Sequence, residues 1–137
     1  MATHPQKEIL AAVLTRLKND ATLTALVPAA RIVENMPDGT AYPHVRVQAP
    51  TSRDWSSHTF DGFEGEIELR VWTQGQSVEP NLGIGNRIYT LLHNFDMAIT
   101  GFPTINFRCT FNEPTLEPDG RTYQGLQRYS FILGGND

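Results

Sequence analysis

Cysteine is almost missing from this chain. Cys109 stands alone, so no internal disulfide can form, and a lone thiol fits folding in a reducing cytoplasm. No apolar run approaches the ~20 residues that a membrane-spanning helix needs. The opening residues, Met1-Ala2-Thr3-His4-Pro5-Gln6-Lys7-Glu8, lack the basic segment and apolar core of a secretory signal. Basic charge is short as well. Lys and Arg number 11 against 15 Asp and Glu, a net charge of −4 at pH 7, which argues against a sequence-independent grip on nucleic acid. Repeats and low-complexity tracts are absent. The apolar share, 39%, is low for a globular chain but well above a disordered one. The 137 residues fit one domain spanning 1–137, which can bury roughly two-thirds of its unfolded surface without a metal or staple.

What is present is strong alternation. In Phe63-Glu64-Gly65-Glu66-Ile67-Glu68-Leu69-Arg70-Val71-Trp72-Thr73, apolar residues and Gly65 occupy one phase. Glu64, Glu66, Glu68 and Arg70 occupy the other. This period of two predicts a strand with one buried and one polar face. At about 3.3 Å per residue it would run roughly 36 Å, long enough to reach toward a neighbouring copy.

Around it, Ile9, Leu10, Val13, Leu14 and Leu17 recur at helical spacing after Pro5, with Thr3 or His4 as cap. Asn19-Asp20 ends that helix and caps a short one, Ala21 to Leu26. Arg31-Ile32-Val33 reads as a short strand, Pro37-Asp38-Gly39 as a turn, and residues 42–49 as an edge-like strand. Residues 50–62 read as a long polar loop or as the twisted end of a hairpin between the strands at 42–49 and 63–73. Val78, Leu82, Ile88, Leu91 and Leu92 mark a second long helix capped at Ser77, with Gly83 and Gly85 placed for close approach to the sheet. Residues 94–102 read as a partly tucked connector. Ile105, Phe107, Cys109 and Phe111 alternate as a strand, Glu113 to Gly120 as a turn, and Tyr123 to Leu133 as the last strand. The order predicts an α+β fold: a mostly antiparallel, twisted sheet covered on one face by two helices.

The residues yield no catalytic set. Gly83-Ile84-Gly85 lacks the third glycine and the preceding strand of a dinucleotide loop. His4, His44, His58 and His93 have no metal-ligand spacing, and Cys109 sits on the buried phase of its strand, where a thiol is inert. Ser56, Ser57 and His58 with Asp54 and Asp61 have the residue types of a hydrolase but no G-x-S-x-G elbow and no rigid support. Trp55 is either an interface anchor or folded back on its own domain. Glu64, Glu66 and Glu68 form a solvated face, pair with Arg46 or Arg108, or present an acidic surface that repels DNA.

Several segments stand out in order along the chain: Asp20-Ala21-Thr22-Leu23-Thr24-Ala25-Leu26-Val27 with Arg31-Ile32, then Tyr42-Pro43-His44-Val45, then Thr51-Ser52-Arg53-Asp54-Trp55. Ile67-Glu68-Leu69-Arg70-Val71-Trp72 follows, and last Glu117-Pro118-Asp119-Gly120-Arg121-Thr122 leading to Gly125. As an ordered set they resemble the tail terminator or tail-completion proteins, the small head–tail joining proteins of long-tailed bacteriophages and gene-transfer particles. The resemblance implies a non-enzymatic virion protein without cofactor, assembled in the host cytoplasm. It implies a homo-oligomeric, typically hexameric, ring at the head-proximal end of the tail tube. Such a ring ends tube growth, meets the tail tube protein and the head–tail connector, and lets genomic DNA pass through its bore; no membrane is involved. On that model Arg53, Asp54, Trp55, His58, Asp119 and Arg121 are interface candidates, and Glu64, Glu66 and Glu68 line the lumen. The competing readings are a monomeric adaptor or assembly chaperone, and a small hydrolase using His58 and Asp54.

Overall fold

A computed structural model describes residues 4–35, 39–54 and 62–133. Its centre is the strand β4, Phe63–Gln74, whose inward residues Phe63, Ile67, Leu69, Val71 and Thr73 are buried. β7, Thr122–Leu133, runs antiparallel to it in unbroken register, from Phe63 opposite Leu133 to Gln74 opposite Thr122. β2, His44–Val47, flanks β4 on the other side and carries β1, Ile32–Val33, as its only parallel neighbour. β6, Phe102–Leu116, pairs with β7, and β5, Asp96–Ile99, with β6. The short β3, Arg53–Asp54, pairs with the start of β4. The strand order is β1-β2-β4-β7-β6-β5. The architecture is mixed α and β, mostly strands in a curled sheet with three α-helices among the described residues.

Helix α1, Gln6–Lys18, carries Ile9, Val13 and Leu17 on its buried side. Glu8 in its first turn and Arg16 and Lys18 in its last complement the helix dipole. Helix α2, Ala21–Leu26, is capped by Asp20, whose carboxylate accepts a hydrogen bond from Leu23 N at 2.8 Å. Helix α3, Glu79–Leu92, contributes Ile84, Ile88, Leu91 and Leu92 to the same buried cluster and packs on β4, β6 and β7. Each of these aliphatic side chains adds roughly 1.5–3 kcal/mol on burial.

The structure corrects the sequence reading at several points. Residues 94–102 are no mere connector: Asp96–Ile99 form an edge strand with Met97 and Ile99 buried. The turn expected from Glu113 is strand as far as Leu116, so the β6–β7 loop is only residues 117–121. A register shift between Cys109 and Phe111 turns Phe111 outward, leaving it 40% exposed. One inserted residue reverses every later side chain. Cys109 is therefore half-buried rather than fully enclosed. In α3 the buried residue is Asn81 while Leu82 is exposed, because Asn81 finds three acceptors beneath the helix. Gly83 touches nothing that a β-carbon would meet; only Gly85 lies close to the sheet, against Gln127. Pro5 takes the cap position of α1 in place of Thr3 or His4, and Val78 that of α3, although Ser77 Oγ still accepts from Glu79 N at 3.1 Å. The turn expected at Pro37-Asp38 and the loop residues Trp55, Ser56, Ser57, His58 and Asp61 lie outside the described residues.

Candidate functional site

The polar face of the sheet, with the two ends that border it, is the candidate site. β4 places Glu64, Glu66, Glu68 and Arg70 on this face by its period of two. Neighbouring strands bring their partners. Arg53 of β3 stands opposite Glu64 and donates to its Oε2 from Nη2 at 3.1 Å. Arg128 of β7 stands opposite Glu68 and forks onto Oε2, from Nε at 2.9 Å and Nη2 at 2.8 Å. It also lies 3.9 Å from Glu66 Oε1 and covers the Phe111 ring at 5.4 Å. Arg70 completes the row, 3.4 Å from Glu68 Oε1 and donating to Gln48 Oε1 at 2.6 Å. The partners expected from sequence, Arg46 and Arg108, sit on the same face. In their place Arg53, Arg70 and Arg128 make the pairs.

By register this face carries Glu64, Glu66, Glu68, Asp96 and Glu113 together with Arg46, Arg53, Arg70, Arg108 and Arg128. Carboxylates and guanidiniums are nearly balanced among the described residues. At physiological salt such a field is largely cancelled beyond about 8 Å. Glu66 is the most open of the three glutamates, its side chain 52% exposed and held, among the described residues, by the long contact to Arg128. Exposed pairs of this kind contribute little to stability, about 0–1 kcal/mol each.

At the β6–β7 end, Asp119 organises the loop. Its Oδ1 accepts from Arg121 N and Thr122 N, both at 2.9 Å, and its Oδ2 from Thr122 Oγ1 at 2.5 Å. The Thr122 hydroxyl, then these two backbone N–H groups, hold its carboxyl below the usual range. Asp119 thus shapes the turn, while Arg121 is exposed beside it. At the opposite end Arg53 and Asp54 form β3 and are exposed. The structure therefore sets the 53–54 group and the 119–121 group at different ends of the sheet. Beyond Asn106 the outer edge of β6 pairs with no strand among the described residues; it meets His93, which bridges to Phe107 and accepts from Cys109 N through Nδ1 at 3.0 Å, and Asn94, whose N donates to Phe107 O at 2.7 Å.

Sequence reasoning missed a buried polar layer beneath α3. Asn81 Nδ2 reaches Val71 O at 2.9 Å, Thr73 Oγ1 at 3.2 Å and Tyr123 O at 3.3 Å. Gln127 donates to Gly85 O at 2.8 Å and accepts from Tyr129 Oη at 2.7 Å. Burial pushes the Tyr129 hydroxyl well above its ordinary value. The paired glycines in and opposite the helix, Gly85 and Gly125, were the available signal. Nearby, Asp20 joins α2 to α3: Arg87 donates to it from Nε at 2.8 Å and Nη2 at 2.7 Å. Those bonds hold the Asp20 carboxyl at about 2. His44, packed between Tyr42 and Trp72, shares a 3.1 Å hydrogen bond with Ala41 O. A carbonyl only accepts, so Nδ1 carries the proton. Desolvation holds the His44 imidazole below its ordinary value. Among the described residues no three metal-ligating side chains cluster, and no helix is long and apolar enough to cross a membrane.

Polar sheet face, ion-paired rows and an open strand edge define a structural module built for contact with other chains. The comparisons give the family: residues 11–134 match the model of the tail completion protein gp17, and the chain belongs to that family. It is a phage tail structural protein and a virion component. The fold is similar to a chain in the virion of a native gene transfer agent particle, with a TM-score of 0.83 and 17% identity over 94% of this chain and 96% of that one. A second solved structure aligns with a TM-score of 0.67 and 18% identity over 93% of this chain and 94% of the other. No curated protein matches the sequence.

Proposed function

We propose that this chain is the repeated subunit of a ring, six copies in the form the family resemblance implies, at the head-proximal end of the tail tube. There it ends tube growth and joins the tail to the head connector. The observation that carries this reading is the outer edge of β6 from Thr110 to Leu116, which pairs with no strand among the described residues and lies at the rim of a sheet whose core is already complete. An edge of that length is a template for pairing with another chain. The helices take one face of the sheet, leaving the other for the assembly. The polar face with Glu64, Glu66 and Glu68 lines the bore. Its balanced charge offers phosphates no net attraction, so duplex passes without being held. Arg53 and Asp54 at one end and Asp119 and Arg121 at the other, together with Trp55 and His58, supply the contacts to the tail tube protein and the connector. The chain acts by shape and contact and needs no cofactor.

The test is the composition of the particle neck. Deleting the chain from a producing system should leave filled heads and separate tails whose tubes vary in length. Joined particles with uniform tails in its absence would reject the reading. A chain found only in assembly intermediates, never in finished particles, would favour an assembly chaperone instead.

A further inference from the structure

Leu116, the last residue of β6, is 49% exposed at the rim of the sheet. It stands opposite Tyr123, and Tyr123 opposite Thr73. Cross-strand partners project to the same face, so Leu116 and Thr73 share one row and one face. Across that row, on the other flank of α3, lies an open hollow of about 230 Å³. It is lined by Leu26, Tyr42, Pro43, Pro80, Gly83 and Ile84, with Thr73 in its floor. Leu26 at its mouth is 46% exposed, and Gly83 leaves space where any other residue would place a β-carbon. A cavity of ~150 Å³ holds a benzene ring, so this one has room for a leucyl side chain.

We propose that Leu116 of one copy seats in this hollow of the next copy, making the head-to-tail contact of the ring. The inference rests on the ring reading given above and names its interface. Three features select a second copy as the occupant. Knob and hollow stand at one level along the strands and at opposite flanks of the sheet, the β6 side and the β2 side. That is the arrangement a heterologous contact needs if repetition is to close a ring. Within one copy Leu116 and the hollow lie on opposite sides of α3, so the chain does not fill its own site. Charge also matches. Glu117 follows Leu116, and among the described residues no carboxylate pairs with Arg31, whose Nη1 donates to Tyr42 O at 3.3 Å on the rim of the hollow. Seating Leu116 brings Glu117 to Arg31.

The experiment uses cysteine pairs in assembled particles of the full-length chain. In a Cys109→Ser background, Leu116→Cys with Leu26→Cys should give, on mild oxidation, a ladder of covalent oligomers ending at the ring size. Each single-cysteine chain should give no ladder. Leu116→Asp should weaken each subunit contact by about tenfold or more, the factor expected from burying one leucyl side chain. Where that variant fails to fold, a charge exchange decides: Glu117→Arg should disrupt rings and Glu117→Arg with Arg31→Glu should restore them. Wild-type rings that persist with Leu116→Asp and yield no ladder would overturn this contact while leaving the ring reading intact. A cross-link from Leu26→Cys to a different protein of the particle would overturn it too. Particles that hold no ring of this chain would overturn both.

Discussion

Gly125 of β7 lies so close under Asn81 of α3 that a β-carbon on it would overlap the Asn81 Oδ1. Helix and sheet meet at this point, and the amide that fills the gap ties together Val71, Thr73 and Tyr123. Gly125→Ala should therefore cost about 1–3 kcal/mol by overpacking. Asn81→Ala should cost a similar amount by leaving buried acceptors without a donor. The double variant should cost clearly less than the two single costs together, because removing the amide relieves the overlap. Denaturant unfolding of the four chains measures this coupling, and strict additivity would contradict it.

The Asp20–Arg87 pair should give the chain an acid-labile link between α2 and α3. The hydrogen bonds from Arg87 hold the Asp20 carboxyl at about 2, below the ordinary 3.8 of an aspartate. A depressed carboxylate stabilises the fold above its unfolded pKa and loses that contribution as pH falls through the folded one. The window therefore runs from about pH 4 down to about pH 2. Asp20→Ala should remove this pH dependence and cost about 2 kcal/mol at neutral pH, from the lost cap and the lost charged hydrogen bonds. Thermal melts across that range check both.

His44 should act at milder pH. Desolvation lowers its pKa from 6.5, so the folded state binds its proton less readily than the unfolded chain does. Its contribution is complete above pH 6.5 and is lost as pH falls through the folded value. Replacing His44 with Phe should flatten the stability profile just below pH 6.5, as read by the unfolding midpoint at fixed ionic strength.

Much of the fold was legible because one period dominated each stretch. The alternation from Phe63 to Thr73 fixed β4 and its buried phase, and Asp20 marked the start of α2. Three features escaped for physical reasons. The outward turn of Phe111 depends on a bulge, and a bulge inserts a residue without changing composition. Asn81 reads as surface until the carbonyls beneath α3 are in place. Glu113 to Leu116 carries a proline yet stays extended, since β6 has no outer neighbour there and an edge tolerates the missing N–H. For the candidate site, the glutamate row was readable along β4, but its arginine partners come from strands far away in sequence. Arg128 is 60 residues from Glu68.

The bore assignment predicts a graded effect of charge on DNA passage. Glu66→Lys, at the most exposed position of the row, should slow genome ejection from assembled particles while leaving the melting temperature almost unchanged. Lysine at Glu64, Glu66 and Glu68 together should slow it further, and should also destabilise the fold by setting cations against Arg53, Arg70 and Arg128. Ejection kinetics followed at two salt concentrations check this, with the delay shrinking at the higher salt.

The most direct test of the central claim is an image of the particle neck at side-chain resolution. The expected result is a closed ring of this chain at the head-proximal end of the tube, with the β6 edge of each copy against the β2 side of the next. A single copy there, or a ring in which every β6 edge faces solvent, would contradict it.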